Sequence, residues 1–582
     1  MVKKRIVRRV LPDRAGPEFE GLASVLHPVL ARAYRAREIS SPRELDVSLE
    51  QLPSWELLGG VDAATRALAA AIAEDRRILV VGDFDADGAT SCAVAVRALG
   101  MMGARQVRYL VPDRFNYGYG LTPEIVAVAK QWQPHLLITV DNGIASCAGV
   151  AAARSFGIEV VITDHHLPGA ELPAAVAIVN PNLPDDPFPC KHLAGVGVIF
   201  YVMLALRAQL RAARWFSRRG LPEPNLAQLL DLVALGTVAD VVRLDHTNRI
   251  LVAQGLARIR AGRCCAGIAA LIEVAQRSRH RLVAADLGFA LGPRLNAAGR
   301  LHDMSIGIEC LLSDDFDHAL ALARRLDDLN RERRVIEQRM QDQAAALIAG
   351  MPTMTGDLDA PRSLALYDAS WHQGVIGILA SRIKERVHRP VVAFARADDG
   401  QLKGSARSVA GVHIRDALDA VATRHPGLIE RFGGHAMAAG LTIRRENLDR
   451  FRAEFELEVA RHLGVEDLHG VILSDGPLRS EDLSLEVAEL IRGAGPWGQG
   501  FPEPVFDGAF EVIESRVVGQ RHWKLQLDIG DGGHGIDAIA FNSVEPGVAA
   551  PGGPGPLNLA YRLDVNDYRG ASTPQLIVEH IA

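Results

Sequence analysis

The sequence predicts an α/β protein of several domains: a parallel-sheet domain, a long linking helix, a second α/β domain and a C-terminal β-barrel. Three observations predict this order. Short β-branched strands alternate with Ala-rich helical stretches from about residue 61 to 310, which is typical of a parallel sheet covered by helices. A charged helical run follows at 314–349. Short strands broken by glycine and proline then fill the last hundred or so residues, which indicates a small barrel.

The length of 582 residues exceeds what one hydrophobic core can organise, so we divide the chain at changes in pattern. The predicted segments are a lead-in or cap (1–60), the parallel-sheet domain (61–313), the linking helix (314–350), the second α/β domain (351–465) and the barrel (466–582). The predicted strands of the first domain lie at 77–82, 107–111, 136–140 and 158–163.

The composition is that of an ordinary soluble protein and excludes a protein that binds nucleic acid through a large overall positive charge. The hydrophobic and charged contents, 48% and 23%, are ordinary for a soluble protein, and the net charge of −6 means that any nucleic-acid contact requires a local basic channel. The 6 cysteines form no C-x-x-C pair, which favours reduced thiols and a cytoplasmic location. No signal peptide is predicted. The longest apolar stretch, 195–206, is about half the ~20 residues of a membrane span, so we expect a buried helix.

Acidic and histidine clusters follow the predicted strands of the first domain. Asp83, Asp85 and Asp87 come after the first strand, Asp141 after the third, and Asp164-His165-His166 after the fourth. Because sites in parallel sheets collect at the carboxyl ends of strands, we expect these clusters to share one site.

Simpler interpretations exist for single clusters. The aspartates before Gly88 are also typical of a helix-capping turn, and a calcium loop is disfavoured because Val94 stands where its glutamate would be. Asp141 could belong to a turn with Asn142-Gly143, and Asp240 could cap the apolar run before it. Asp164-His165-His166 is the hardest to explain by folding alone, because buried charge without a partner is costly.

The combined donor set predicts metal chemistry. Carboxylates with imidazole and no thiolate favour Mn²⁺ or Mg²⁺ over a structural zinc. More than four acids favour two ions, which about 3.5–4 Å apart can activate water and clamp a phosphoryl group. No Ser-His-Asp or Cys-His arrangement competes as a covalent site.

Two further segments carry groups suited to phosphate or bases. Arg114 lies among aromatics and glycines in 113–120, and aromatic faces stack on unpaired bases for about 1–3 kcal/mol each. Residues 292–300 offer Arg294, Asn296 and Arg300. The first segment could equally pack as core, and the second reads by itself as a capped turn.

An ordered set of motifs resembles the DHH phosphoesterase superfamily and, within it, bacterial exonucleases specific for single-stranded DNA. The resemblance covers nearly the whole chain and implies a DHH catalytic domain, a DHHA1-like domain and an OB-fold barrel. The motifs are VVGDFDADGATS (80–91), VPDRFNYGYGL (111–121), TVDNGI (139–144), TDHHLP (163–168), ALGTVADVV (234–242), LGPRLNAAGRL (291–301), LKGSARS (402–408), FGGHAMAAG (432–440) and PWGQGFPEPVF (496–506).

The resemblance also implies roles for individual residues. The implied metal ligands are Asp83, Asp85, Asp87, Asp141, Asp164, His165 and Asp240, with Asp141, Asp164 and His166 as catalytic residues. His166 would contact the phosphate or the leaving group. The implied substrate-binding residues are Arg114, Arg294, Asn296, Arg300, Ser405, Arg407, Ser408 and His435.

The chain departs from the family pattern in three places. Val81 stands where many smaller members have a histidine, so Asp83 is expected to take over a ligand role. Ala406 replaces a usual glycine, which would be strained if that position needs a positive φ. His302 replaces a common acid, and nothing in the sequence explains that change.

The implied function is a 5′→3′ exonuclease on single-stranded DNA in repair and recombination, using two Mn²⁺ or Mg²⁺ ions. It would act as a cytoplasmic monomer, with a single-strand-binding protein and a RecQ-type helicase as partners. The candidates for the barrel's nucleic-acid face, each of which could equally be packing, are Arg521, Trp523, Lys524, Tyr561 and Tyr568. Two alternatives remain open: a phosphoesterase acting on short oligonucleotides or cyclic dinucleotides, and a non-catalytic replication scaffold.

Overall fold

The computed structural model describes most of the chain as two compact units. The parallel-sheet unit comprises Leu11–Asn330 and Leu485–Pro504, and the barrel-bearing unit comprises Met1–Val10, Arg331–Ser484 and Val505–Ala582. The described residues are 4–11, 17–112, 117, 120–351, 360–397, 400–464, 466–530, 535–544, 550–552, 555–568 and 570–582.

The strands are β1 (Lys4–Arg8), β2 (Ile78–Val81), β3 (Val107–Leu110), β4 (Leu136–Val140), β5 (Glu159–Thr163), β6 (Ala177–Val179), β7 (Leu364–Tyr367), β8 (Val391–Arg396), β9 (Gln401–Arg407), β10 (Arg431–Gly434), β11 (Ala438–Arg444), β12 (Gly470–Ser474), β13 (Phe506–Val518), β14 (His522–Asp528), β15 (Ile536–Ala540), β16 (Leu557–Tyr568) and β17 (Ala571–Ile581).

The α-helices are α1 (Pro17–Ala23), α2 (Pro28–Arg35), α3 (Val61–Ala73), α4 (Ala86–Met101), α5 (Pro123–Ala129), α6 (Cys147–Ser155), α7 (Gly195–Ala212), α8 (Trp215–Arg219), α9 (Leu230–Ala239), α10 (His246–Arg260), α11 (Ala266–Val274), α12 (Ala284–Asp286), α13 (Gly292–Leu301), α14 (Ser305–Leu312), α15 (Phe316–Ala349), α16 (Ile376–Val387), α17 (Ile414–Arg424), α18 (Leu448–Val459) and α19 (Leu485–Gly493). A π-helical turn spans Leu287–Leu291. Short 3₁₀ segments lie at Pro42–Leu45, Leu49–Gln51, Trp55–Leu57, Lys130–Trp132, Leu226–Leu229, Arg279–Arg281, Arg445–Asn447, Glu466–Leu468 and Ser480–Asp482.

The parallel-sheet unit is built on five strands in the order β3-β2-β4-β5-β6, all parallel. The strands β2 and β4 are buried along their whole length, as expected for a sheet covered by helices on both faces. Because every pairing is parallel, the carboxyl ends of β2, β4 and β5 lie side by side. The predicted α/β architecture is confirmed, and this edge is where its acidic clusters fall.

The longest apolar helix, α7, is part of the core of this unit. Its 18-residue length and its composition would be enough to cross a membrane, but 67% of it is buried within the fold. Burial on that scale is typical of the central helix of a packed domain, and it agrees with the buried helix expected from the sequence. The backbone N–H groups at the amino-terminal end of α7 face the candidate site.

A strap at 485–504 returns to the parallel-sheet unit. The Trp497 ring stacks on Phe501 with centroids 5.0 Å apart, and Tyr34 lies against both rings. The Arg249 guanidinium lies 4.0 Å from the Phe501 ring centroid. The sequence assigned these residues to the barrel segment 466–582, whereas their contacts group them with the first unit, because the aromatic partners come from residues far apart along the chain.

The barrel-bearing unit contains a mixed sheet in the order β10-β11-β9-β8-β7, packed against helices α16, α17 and α18. A closed barrel follows in the order β13-β14-β15-β17-β16. Strand β1 pairs in parallel with β12, so the first residues of the chain, predicted as part of a lead-in, join this unit. The linking helix α15 begins in one unit and ends in the other, since the division falls between Asn330 and Arg331.

Candidate active site

The first acidic loop connects β2 to α4. Asp85 is the N-cap of α4, and its Oδ1 accepts the Gly88 N–H at 3.0 Å. Asp83 is buried beside it, with 4% of its surface exposed. A Cβ on Gly88 would lie 2.5 Å from the Asp83 carbonyl oxygen, so only glycine allows the loop to fold this tightly. The helix-capping interpretation therefore holds for Asp85, and it coexists with the clustering of the acids.

Asp87 is fixed by the start of a distant helix. Its Oδ2 accepts the Gly195 N–H at 2.6 Å, and its Oδ1 accepts the Val196 N–H at 2.9 Å. Both donors belong to the first turn of α7, where amide groups have no partner within the helix and the helix dipole favours a negative charge. These two donors hold the Asp87 carboxylate in one orientation. The residue is buried, with 1% of its surface exposed.

Asp141 follows β4 in a left-handed conformation, with φ of 61°. Such a conformation is uncommon outside glycine but accessible to aspartate. The next residue, Asn142, donates from its side chain to the carbonyls of Val81 at 3.1 Å and Val140 at 2.9 Å, which ties the ends of β2 and β4 together. The backbone of Asp141 thus has the conformation of a turn residue. Its carboxylate is nevertheless buried at the site.

Asp164 uses its carboxylate to hold its neighbours. Its Oδ1 accepts the backbone N–H of His165 at 2.7 Å and of His166 at 3.1 Å, and it lies 2.7 Å from His166 Nδ1. Its Oδ2 accepts the Ile144 N–H at 2.9 Å. These contacts fix the Asp164 carboxylate in place, and among the described residues it belongs to none of the groups that could hold a metal ion, so its implied role as a metal ligand stays a prediction.

His165 brings the separate elements together. Its Nε2 lies 3.1 Å from Asp141 Oδ1 and 3.6 Å from Asp240 Oδ2. Asp240 directly follows α9, so the site draws on two strand ends, the capped start of one helix and the end of another. The described residues form three groups that could hold a metal ion, and within each group the potential ligand atoms lie within 4.8 Å of one another. The groups are Asp83, Asp85 and Asp141; Asp87, His165 and Asp240; and Asp141, His165 and His166.

Burial and mutual repulsion dominate the electrostatics of these acids. Burial, followed by the charge of Asp85, raises the pKa of Asp87 to about 7. Burial and the neighbouring aspartates also raise the pKa values of Asp141 and Asp240 well above the usual range. Carboxylates that repel one another in this way are stabilised by a divalent cation, and the oxygen-rich donor set with one or two imidazoles fits Mn²⁺ or Mg²⁺.

Asp164 and His166 behave differently from the cluster. Burial alone would raise the pKa of Asp164, but the hydrogen bond and charge of His166 outweigh it and the pKa lies below its ordinary value. Burial alone would lower the pKa of His166, but the hydrogen bond and charge of Asp164 have a larger effect in the opposite direction. The pKa of His166 is therefore raised above its ordinary value. Each side chain therefore favours the charged form of the other.

Helix α13 supports the acidic loop from behind. Asn296 Oδ1 accepts the Ala86 N–H at 2.8 Å, which fixes the first turn of α4. Arg294 is 9% exposed and forms an ion pair with Asp327 at 2.8 Å. These partners lie within the fold, and the implied role of both residues in substrate binding stays a prediction. Arg300, on the last turn of α13, is half-buried, and Arg114 lies outside the described residues.

The remaining implied phosphate ligands lie in the barrel-bearing unit. Arg407 ends β9, and its Nη1 donates to Ser405 Oγ at 3.0 Å and to the Ala406 carbonyl at 2.8 Å. Burial lowers the pKa of Arg407. Ala406 is an ordinary strand residue without positive φ, so the expected strain does not arise. A Cβ on Gly377, at the start of α16, would lie 2.9 Å from Arg407 Nη2, so a helix terminus closely approaches this guanidinium.

Ser408 and His435 differ in accessibility. Ser408 is 1% exposed and its hydroxyl donates to the Val412 carbonyl at 2.7 Å, so its implied contact with substrate stays a prediction. His435 is exposed in the connection between β10 and β11. Only the second of these side chains is accessible to a ligand.

The residues proposed for the nucleic-acid face of the barrel also differ in accessibility. Trp523 and Tyr561 are buried in the barrel, with 8% and 1% of their surfaces exposed, and Lys524 pairs with Asp537 at 2.6 Å. Arg521 is exposed, and the side chain of Tyr568 lies outside what the structure describes. The packing interpretation holds for the two buried aromatics.

Two residues that shape the site carry no functional signal in the sequence. Asn142 has the pattern of a turn residue, and Gly195 that of the start of an apolar helix. A Cβ on Gly195 would lie 2.5 Å from the Asp141 Cβ, so a glycine is needed for α7 to approach the site. Its signal was the glycine at the very beginning of an apolar helix, but its partner could not be read from local sequence.

Comparisons with known proteins agree with this arrangement. The model of the DHH family, N-terminal domain, matches residues 77–237, that of the DHHA1 domain matches 361–461, and that of the RecJ OB domain matches 474–580.

Full-length relatives extend the similarity. The single-stranded-DNA-specific exonuclease RecJ of Dickeya dadantii is 56% identical over 96% of this chain and 97% of its own length, and that of Escherichia coli is 53% identical over 98% of both. The crystal structure of RecJ in complex with Mn²⁺ from Thermus thermophilus matches with a TM-score of 0.80 at 31% identity, over 99% of this chain and 80% of that one. With its fold, its clustered acids and its relatives in agreement, this chain belongs to the RecJ family of DHH phosphoesterases.

Proposed function

We propose that this protein is a 5′→3′ exonuclease specific for single-stranded DNA, acting in DNA repair and recombination. The observation that carries the proposal is the convergence of Asp83, Asp85, Asp87, Asp141, His165 and Asp240 at one sheet edge, within reach of shared metal ions. The relatives named for this activity match the chain over nearly its whole length. The direction of digestion rests on family membership alone.

Two divalent ions, Mn²⁺ or Mg²⁺, would be held by those six side chains. When bound, such ions lower the pKa of a water molecule and stabilise the charge of the phosphoryl group. Asp87 keeps its orientation through the two amide donors of α7, and His165 bridges Asp141 and Asp240. These contacts would hold Asp87 and His165 in place for metal binding.

His166 is proposed to act on the phosphate. Its Nδ1 faces Asp164 at 2.7 Å, an arrangement that orients the ring and favours the protonated imidazole. We assign its Nε2 to a phosphate oxygen or to the leaving oxygen, which accepts a proton or hydrogen bond as the P–O bond breaks. Asp164 is the positioning residue for this step.

A second group of residues is proposed to bind the end of the strand. Arg407 presents a guanidinium that Ser405 and the Ala406 carbonyl hold in place, near the start of α16. Together with the exposed His435, it would bind the terminal phosphate, which arginine can grip with two hydrogen bonds. Arg114 and Arg300 are proposed to contact phosphates of the following nucleotides.

The barrel is proposed to bind the strand beyond the cleavage site, as OB-folds do for single strands. Exposed cations such as Arg521 would supply the contacts, since Trp523 and Tyr561 are buried. We also propose that the protein works as a monomer in the cytoplasm, with a single-strand-binding protein and a RecQ-type helicase as partners.

Digestion of end-labelled DNA tests the proposal. Single-stranded and duplex substrates labelled at either end are incubated with Mn²⁺, with Mg²⁺ and with EDTA. We expect mononucleotide release from the 5′ end of the single strand only, and none in EDTA. Equal digestion of duplex, release from the 3′ end, or activity confined to dinucleotides would overturn it, the last in favour of a short-substrate phosphoesterase.

A further inference from the structure

An arginine-rich cavity lies at the edge of the parallel sheet opposite to the acidic cluster. It has a volume of about 550 Å³ and is lined by residues at the amino ends of β2 and β3 and before β4, among them Arg77, Arg105, Arg108, Gln131 and Trp132. Strand β2 spans four residues, so the two edges are separated by roughly 13 Å of strand. The cavity is therefore distinct from the metal-binding residues.

The charge of the cavity is positive in a protein that is negative overall. Asp75 offsets Arg105 through a bidentate ion pair, with atoms 2.8 and 3.1 Å apart. Among the described residues that line the cavity, no acid offsets Arg77 or Arg108. Arg77 is half-buried and Arg108 is exposed, and positive charges that line one cavity favour an anionic ligand.

The geometry of the two uncompensated arginines is partly fixed. Arg77 Nε donates to the Gln133 carbonyl at 2.6 Å, which holds one side of its guanidinium and leaves the Nη groups to a ligand. Arg108 lies over the Trp132 ring, with its guanidinium carbon 4.3 Å from the ring centroid. A guanidinium restrained in this way loses less conformational freedom when it binds phosphate.

Trp132 adds an aromatic surface to the positive charge. The ring is 38% exposed although it is one of the largest apolar side chains, and it borders the cavity together with Gln131. Unpaired bases stack on such rings, and an arginine stacked on the same ring reinforces the contact. A volume of about 550 Å³ is in the range of small-molecule pockets and exceeds what an isolated phosphate needs.

We propose that this cavity binds one nucleotide unit, with its phosphate on Arg77 and Arg108 and its base on Trp132. The unit can come from a free mononucleotide or from a nucleotide within a single strand. An acidic peptide could satisfy the arginines but would leave the aromatic surface unused, so the nucleotide is favoured. The site adds to the proposed nuclease function, and its occupancy can be measured without cleavage.

Photo-crosslinking of the full-length protein in EDTA tests the proposal. The probes are 5-iodo-deoxyuridine monophosphate and a thymidine oligonucleotide carrying one 5-iododeoxyuridine, and adducts are assigned to single residues by tandem mass spectrometry. We expect an adduct at Trp132 that saturates with probe concentration. If both probes form the adduct, the cavity accepts free nucleotides as well as nucleotides within a strand. If only the oligonucleotide forms it, the cavity binds a nucleotide within a strand.

Matched charge reversals give the control. Arg108→Glu is expected to weaken adduct formation at Trp132 by about tenfold or more, as loss of a stacked, phosphate-binding group would. Arg218→Glu, the same change at an exposed arginine of α8, should leave it unchanged. Arg108→Gln replaces the first variant if circular dichroism shows that Arg108→Glu does not fold.

Three results would overturn the inference. They are the absence of a Trp132 adduct with either probe, an adduct that the Arg108 variants leave unchanged, and displacement of the probe by a poly-aspartate peptide but not by excess unlabelled nucleotide. A protein that forms the Trp132 adduct but releases no nucleotides with Mn²⁺ retains this site and contradicts only the nuclease proposal.

Discussion

His165 Nε2 lies 3.1 Å from Asp141 Oδ1, and this contact joins the ends of two neighbouring parallel strands. Neither residue is close to the other in sequence, and the register of β4 against β5 brings them together. The contact defines the middle of the site, because Asp141 also belongs to the group of Asp83 and Asp85, and His165 to that of Asp87 and Asp240.

Removal of Asp141 should separate catalysis from binding. Asp141→Ala is expected to lower the rate of Mn²⁺-dependent cleavage by at least about 100-fold, because it removes a carboxylate shared by the metal-binding groups. Binding of single-stranded DNA in EDTA should change little. Gel assays and fluorescence anisotropy measure the two effects. Asp185→Asn, at an exposed left-handed aspartate, is the control and should cleave normally. Retained activity in Asp141→Ala would remove this residue from the site.

Gly195 should tolerate no side chain. A Cβ there would lie 2.5 Å from the Asp141 Cβ and 2.7 Å from its Oδ1, so Gly195→Ala must displace the aspartate. We expect a loss in kcat of about 100-fold, since shifts of about 1 Å in catalytic groups have such effects. Gly197→Ala on the same helix meets only the Leu193 side chain, at 3.1 Å, and serves as the control. Equal activity of the two variants would contradict the importance of this close approach.

Stability without metal should fall as the pH rises. The pKa of Asp87 is raised from 3.8 to about 7, so the folded protein binds more protons than the unfolded chain between these values. The free energy of unfolding therefore decreases as the pH rises through this window. Mn²⁺ binds the ionised acids, so it should raise the Tm more at about pH 8 than at about pH 5.5. Differential scanning fluorimetry with EDTA or Mn²⁺ measures this, and equal shifts at both pH values would argue against metal binding by these acids.

Arg294 should matter for stability and not for substrate affinity. Arg294→Met removes one member of the buried ion pair with Asp327, and breaking a buried pair costs about 3–5 kcal/mol of unfolding free energy. Urea denaturation measures the loss. The double variant Arg294→Met with Asp327→Leu should recover part of it, because neither charge then remains. An increase in KM without a change in stability would return Arg294 to the substrate-binding set.

Arg407 should determine the preference for a phosphorylated end. Arg407→Ala is expected to raise KM for 5′-phosphorylated strands by about tenfold or more, the usual effect of losing a charged hydrogen bond, while 5′-hydroxyl strands change less. Arg431→Ala, at an exposed arginine on β10, which is separated from β9 by β11 in the sheet, is the matched control. Equal losses on both substrates would indicate that Arg407 does not contact the terminal phosphate.

The sequence predicts the parts of this protein that depend on local pattern. The alternation of strands and helices, the acids at the ends of β2, β4 and β5, and the long helix α15 follow from periodicity and turn residues. The internal contacts of Asp164, Ser408 and Arg294 do not, because their partners Ile144, Val412 and Asp327 are brought to them by folding. An acid or arginine in a functional motif looks the same in sequence whether it holds a ligand or a neighbouring side chain.

The parallel pairing of β1 with β12 has a consequence for biosynthesis. Lys4 pairs with Gly470 and Arg8 with Ser474, so β1 cannot form this pairing until β12, far along the chain, has been translated. The sheet of β2 to β6 can form long before that point. We therefore expect an emerging chain to form the sheet that carries the acidic site before β1 joins β12.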